Sequence, residues 1–189
     1  MKKSLFIFLF VLILVIFAGC SPSGYSNILL FTDRLSSARN EEITLDNYNL
    51  NDGRYTVILK SGETDILITA KENENGNLKR VGVTLLKVDE NGSVKPLTDA
   101  EASAYKECAV QVIYAFTLFD EEKSWEAAEK ILPLKGNDLL RTGELTTDIE
   151  NYHFVYYSNK LCCRFTVTDT YLEKTEVTEK PVSRPLLQY

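Results

Sequence analysis

The chain has 189 residues, with 21 basic and 27 acidic side chains and a net charge of −6. This balance argues against nucleic acid as a partner, because nucleic-acid binding needs a basic footprint, and against broad adhesion to anionic lipid. The length suits one domain with a sizeable hydrophobic core.

The first segment is a targeting sequence in layout. Lys2 and Lys3 give a basic start, residues 5–17 contain no polar side chain, and Ala18 and Gly19 are small. The apolar run is shorter than the roughly 20 residues a spanning helix needs. Ser21-Pro22-Ser23-Gly24 then reads as a flexible exit. The stretch Phe17-Ala18-Gly19-Cys20 resembles the lipobox of bacterial lipoproteins, with Phe17 standing where Leu is usual. The resemblance covers the first 20 residues. It implies a diacylglyceryl group on the Cys20 thiol and cleavage ahead of it. The mature chain would then sit on the extracytoplasmic face of a bacterial cell membrane, or of an outer membrane in a two-membrane organism. An ordinary cleaved signal and an uncut helical anchor are the alternatives. Each buried CH₂ contributes about 0.8 kcal/mol, so two acyl chains hold firmly where one holds marginally. Without residues 1–19 the chain keeps 170 residues and a charge of −8.

The expected organisation is a removed signal (1–19), a lipidated cysteine and tether (20–27), a globular domain (28–172) and a polar tail with Pro181 and Pro185 (173–189). Residues 28–42 read as a short amphipathic helix or an irregular lead-in. From 43 to 95 the pattern is β. Residues 55–60 and 64–70 flank Ser61-Gly62, residues 80–89 follow the Asn75-Gly76 turn signal, and Asn91-Gly92 turns again. The alternation of Ile66 and Ile68 with Leu67 and Thr69 predicts strands with one face more buried than the other.

The period then changes. Thr98-Asp99-Ala100-Glu101 matches a capping box. Ala102, Tyr105, Ala109, Val112, Phe116 and Phe119 recur at steps of three and four, as on one helical stripe. The second half of this segment is apolar nearly all round, which predicts a helix buried on more than one side; a strand is the alternative. A second helix is expected from about Glu121 to Leu132. Trp125, Ala128 and Leu132 share a face, acids lie in the first turn, and Pro133 and Gly136 follow. Residues 152–170 read as a hairpin turning at Asn159-Lys160. The fold expected is α+β: an antiparallel sheet, made of an N-terminal meander plus a C-terminal hairpin, packed on one long buried helix and a shorter one.

That hairpin tests the candidate catalytic pair, a cysteine with His153, the single histidine. With a two-residue turn, Tyr156 faces Cys163, Phe154 faces Phe165 and His153 faces Thr166. His153 then lies four residues along from Cys162, roughly 13 Å away. A general base must approach to about 3 Å, and Cys163 points to the other face, so no dyad forms. An odd number of cysteines follows Cys20, so at least one stays outside any intrachain bridge. Cys108 and Cys163 are a candidate disulfide if the long helix lies on the sheet, with two buried thiols as the alternative. The segments 47–53 and 71–76 only faintly resemble calcium loops: neither has an acid at position one, and turn chemistry explains both better.

No metalloprotease, nucleophile-elbow, phosphate-loop or zinc pattern occurs, and no cofactor is expected. The expected function is that of a membrane-anchored, non-catalytic binding or accessory module of the bacterial envelope. Its partner would be an envelope protein, a peptide or a small ligand. Tyr157, His153 and Arg164 form the candidate recognition surface, and the hydroxyls of Tyr152, Tyr156 and Tyr171 are further candidates. The alternatives are a small envelope hydrolase built on paired carboxylates and a structural or assembly lipoprotein.

Overall fold

A computed structural model describes residues 26–89, 91–132 and 143–179. The elements run α1 (Ile28–Arg39), a 3-10 turn (Leu45–Asn47), β1 (Asn49–Asn51), β2 (Arg54–Ser61), β3 (Thr64–Glu72), β4 (Leu78–Leu86), α2 (Asp99–Thr117), α3 (Glu121–Ile131), β5 (Gly143–Ile149), β6 (Tyr152–Ser158), β7 (Cys162–Asp169) and α4 (Thr170–Glu179). The strands form one antiparallel sheet in the order β1-β2-β3-β4-β7-β6-β5. Two consecutive meanders, β1–β4 and β5–β7, are therefore joined side by side where β4 pairs with β7. The architecture is α+β.

One face of the sheet carries the core. Cross-strand pairing lines up Val57, Ile68, Val83, Phe165 and Tyr156 in one row, and Ala70, Val81, Val167 and Phe154 in the next. All nine are buried. Helix α2 lies against this face. The reciprocal Thr98/Glu101 capping box starts it, and its stripe residues are all buried, with Phe119 just past its end. Cys108, Val110, Ile113 and Ala115 are buried as well, so α2 is covered by α1 and α3 on its flanks as well as by the sheet. Tyr105 sends its hydroxyl into the sheet to donate to the Val83 carbonyl.

Helix α1 is the ordered form of the lead-in, with Asn27 capping it by accepting from the Leu30 N–H. In α3 the buried face is Ser124, Ala127, Ala128 and Ile131, which rotates Trp125 to the rim. The expected tail gives way at its start to α4, which follows β7 directly. Asp169 accepts from the Tyr171 and Leu172 N–H groups to open α4, and Leu172 is buried. The signal segment and tether up to residue 25, the Pro133/Gly136 stop and the tail from 180 onward lie outside the described residues.

The C-terminal hairpin keeps the expected faces but not the expected register. Ser158 pairs with Cys163, Tyr156 with Phe165 and His153 with Thr168, a shift of two residues. The loop is wider because Asn159 organises it. Its side-chain oxygen accepts from the N–H groups of Leu161 and Cys162, and its own N–H donates to the Cys162 carbonyl. A two-residue slip returns every side chain to the same face.

On the opposite face, Gly82 sits at the centre of the sheet. A Cβ there would lie 2.8 Å from Thr69 Oγ1, 3.2 Å from Thr166 Cγ2 and 3.3 Å from the Phe165 carbonyl oxygen. Gly82→Ala is expected to lower the unfolding free energy by about 1–3 kcal/mol. Adding Thr69→Ala should restore part of that loss in denaturant titrations, since it removes the nearest of the three atoms.

Candidate ligand-binding groove

A concavity lies on the helical side of the molecule, where α1, α2 and α3 meet. It is a groove of about 960 Å³. Its apolar lining comes from Ala38 of α1, Val110 and Tyr114 of α2, the corner residues Leu118 and Phe119, and Trp125 of α3. Arg34, Glu107, Asp120 and Glu121 supply the charge. Clefts of this size are a usual form of ligand site, and here half of the lining residues are polar or charged.

The α2–α3 corner shapes the groove. Thr117 donates back to the Ile113 carbonyl and accepts from the Phe119 N–H. Asp120 caps α3 by accepting from the Lys123 N–H. The chain makes the bend at Leu118, whose φ of 63° is left-handed. A leucine there carries backbone strain on the order of 1 kcal/mol, and its side chain is held out at the groove's edge, 44 % exposed.

Arg34 crosses from α1 to this corner. One guanidinium nitrogen, Nη2, donates to the Tyr114 carbonyl at 2.5 Å and the Phe119 carbonyl at 3.3 Å, and the guanidinium lies 4.5 Å from the centre of the Tyr114 ring. Cations suit the C-terminal end of a helix, where carbonyls lack intrahelical partners. Arg34 has no carboxylate within ion-pair distance among the described residues, and its buried Nε has no hydrogen-bond partner. Two lysines cover the other rings: Lys106 lies 5.3 Å from the centre of Trp125 and Lys123 4.3 Å from that of Phe119. Lys106 pairs with Glu129 and Lys123 with Glu150. Arg34 is thus the groove's uncompensated cation. The acids are differently placed, with Asp120 committed to its cap and Glu107 and Glu121 on different helices.

The recognition surface expected from sequence lies on the other side of the sheet. Tyr157 and Arg164 are direct cross-strand partners. Together with Arg80, Val155 and Thr166 they line a shallow depression of about 220 Å³. His153 shares this face but sits toward the far end, pairing with Asp148 at 2.6 Å. Tyr156 is buried, and Tyr152 donates its hydroxyl to the Thr117 carbonyl. Tyr157 and Tyr171 are exposed. No group of three or more metal-binding side chains occurs among the described residues.

In the observed register His153 lies six residues along from Cys162, about 20 Å, farther apart than in the two-residue-turn reading. Cys108 and Cys163 are not joined: Cys108 turns toward Arg39 of α1, and Cys163 lies 3.9 Å from Ser158 Oγ. Burial pushes the Cys108 thiol up to about 12. Burial, followed by the neighbouring Cys163, raises Cys162. A nucleophilic cysteine needs the opposite displacement. Sequence reasoning also missed Lys87, which is almost fully buried. Its ammonium donates to Ser158 Oγ at 2.7 Å and to the Asn159 carbonyl at 2.9 Å. A Lys–Ser pair is a nucleophile geometry, but with both side chains fully enclosed it seals the β4–β7 seam instead.

Burial also pushes Tyr152 up to about 12. The unfolded chain ionises these groups first, Cys108 from about pH 9 and Tyr152 from about pH 10, while the folded chain keeps them protonated up to about pH 12. Stability therefore falls as pH rises through this window. Denaturant titrations between pH 8 and 11 should show that fall, and Cys108→Ala should make it shallower.

The fold and groove stand without a named relative: no family model matches the chain, and neither does any curated protein or solved structure.

Proposed function

We propose that this chain is a lipid-anchored, extracytoplasmic binding module of a bacterial envelope, with its ligand seated in the groove between α1, α2 and α3. The groove is the observation that carries the binding role. It has three aromatic side chains, a strained corner and an arginine without a carboxylate partner. Non-classical backbone geometry at a cleft is a common mark of a working site. The ligand class that fits is an organic anion or peptide carboxylate with an apolar body: the body covers Tyr114, Leu118 and Trp125, and the anion lies toward Arg34. The anchoring role rests on the lipobox-like Phe17-Ala18-Gly19-Cys20. No helix among the described residues is long and apolar enough to cross a membrane.

Two measurements test the two parts separately. Intact mass of the protein from membranes should show a chain starting at Cys20 and carrying lipid, and Cys20→Ala should abolish both; an unlipidated native chain rejects the anchor. Trp125 is the single tryptophan, so ligand entry should change its fluorescence. In a screen of hydrophobic carboxylates and peptides, Arg34→Gln should weaken a binder at least tenfold. A screen in which nothing perturbs Trp125 rejects the groove.

A further inference from the structure

We infer that the end of the domain at which α1 begins rests on the bilayer, with Leu29 and Leu30 set into the headgroup layer of the membrane that carries the chain. This orientation presupposes the lipid anchor at Cys20 proposed above.

The tether is short. Six residues lead from Cys20 to Ser26, and a chain of that length reaches at most about 20 Å. Ser26 already belongs to the fold: it is buried, and its carbonyl accepts from the Leu78 N–H at 2.8 Å. The tether therefore lengthens only by giving up that bond. Leu29 and Leu30 follow within one helical turn. The Asn27 cap fixes the start of α1, and Ile28, Phe31, Thr32 and Leu35 take its buried face. Leu29 is left 59 % exposed and Leu30 39 %.

Helix chemistry makes this pair unusual. The first turn of a helix favours acids, and α2, α3 and α4 all carry them there: Asp99 and Glu101, Glu121 and Glu122, and Glu173. The first turn of α1 has no acid. Its outward positions hold two leucines, which do nothing for the helix start and suit a lipid surface. Other exposed apolar side chains gather at the same end. Arg34, one turn after Leu30, donates to the Phe119 carbonyl, which draws the α2–α3 corner and the exposed Leu118 toward the start of α1. Tyr152 donates to the Thr117 carbonyl and pairs with Asp169, which places the exposed Tyr171 of α4 at this end too. The opposite end also exposes apolar side chains, Leu86, Val94 and Leu161. Apolarity alone therefore does not choose the end; the tether does. Asp33, Asp120 and Glu121 are exposed nearby, so the contact is apolar and shallow, without help from anionic headgroups. Such a contact is weak by itself, but a lipid six residues away holds it at high effective concentration.

The test uses the full lipidated chain in a Cys162→Ser background, reconstituted in phosphatidylcholine vesicles that contain a lipid with a nitroxide near its headgroup. A fluorophore is placed on Leu29→Cys or, as the control, on Leu161→Cys. Cys108 and Cys163 are buried, and a lipidated Cys20 has no free thiol. Leu161 lies by the far end of β4, roughly 26 Å along the strand from Leu78. The nitroxide should quench the label at 29 about threefold more than the label at 161. A Gly-Ser insertion of about 20 residues after Ser23, with a mean span of roughly 25 Å, should leave most of that quenching in place. Adding Leu30→Asp to the lengthened chain should remove most of it. That substitution puts an acid where the helix start favours one, so circular dichroism should stay unchanged. The orientation is overturned if a lipidated chain shows equal quenching at both labels. It is overturned equally if quenching at 29 vanishes on lengthening, which is nearness without contact, or survives Leu30→Asp. Any of these results leaves the anchor standing, whereas a native chain without lipid at Cys20 rejects the anchor and the orientation together.

Discussion

The pairing of β4 with β7 is the contact on which the rest of the structure depends. Each meander is local, built by hairpins between neighbours in sequence. Neither alone presents a sheet wide enough to cover α2. The β4–β7 ladder, from Arg80 opposite Thr168 to Leu86 opposite Cys162, joins them across about eighty residues of chain and makes one surface. At the far end of that ladder the Lys87 N–H donates to the Leu161 carbonyl, and its ammonium is held by Ser158 and Asn159. A buried ammonium without hydrogen-bond acceptors is expensive. This lysine therefore favours the arrangement in which the Asn159 loop lies against the end of β4, and it specifies the register of the joint as well as strengthening it.

From that joint the two sides of the molecule acquire different work. On the inner side the continuous sheet supports α2, and α2 in turn positions α1 and α3 on its flanks. The groove is therefore a by-product of helix packing around a buried central helix, with its polar chemistry concentrated where α2 ends. On the outer side the same continuity sets rows of threonine, apolar and charged side chains, Arg80 and Arg164 among them.

Much of this was legible in residue patterns, and the failures have physical causes. The capping box at Thr98 and the apolar stripe after it marked α2, because a buried helix must repeat its core contacts every three to four residues. The hairpin's faces were legible for the same reason, alternation being a property of single strands. Its register was not, because an Asn side chain that accepts from two amides widens a loop without changing the alternation. Strand β5 left no signal: Gly143–Ile149 is an edge strand with few buried positions, so burial imposed no pattern on it. α4 was read as tail because its helix start depends on Asp169 at the end of a strand. The groove could not be read at all. Arg34, Tyr114 and Trp125 are scattered along the sequence and gathered only by tertiary packing, and a lysine such as Lys87 reads as surface until its acceptors are known.

The first described residue, Ser26, is itself fastened. It is buried, and its carbonyl accepts from the Leu78 N–H at 2.8 Å, which places it at the first residue of β4. A pull on the segment ahead of it follows the covalent chain into α1, and the Ser26–Leu78 hydrogen bond shares part of that load with β4. The start of the domain is thereby pinned to its central strand before the first helix begins.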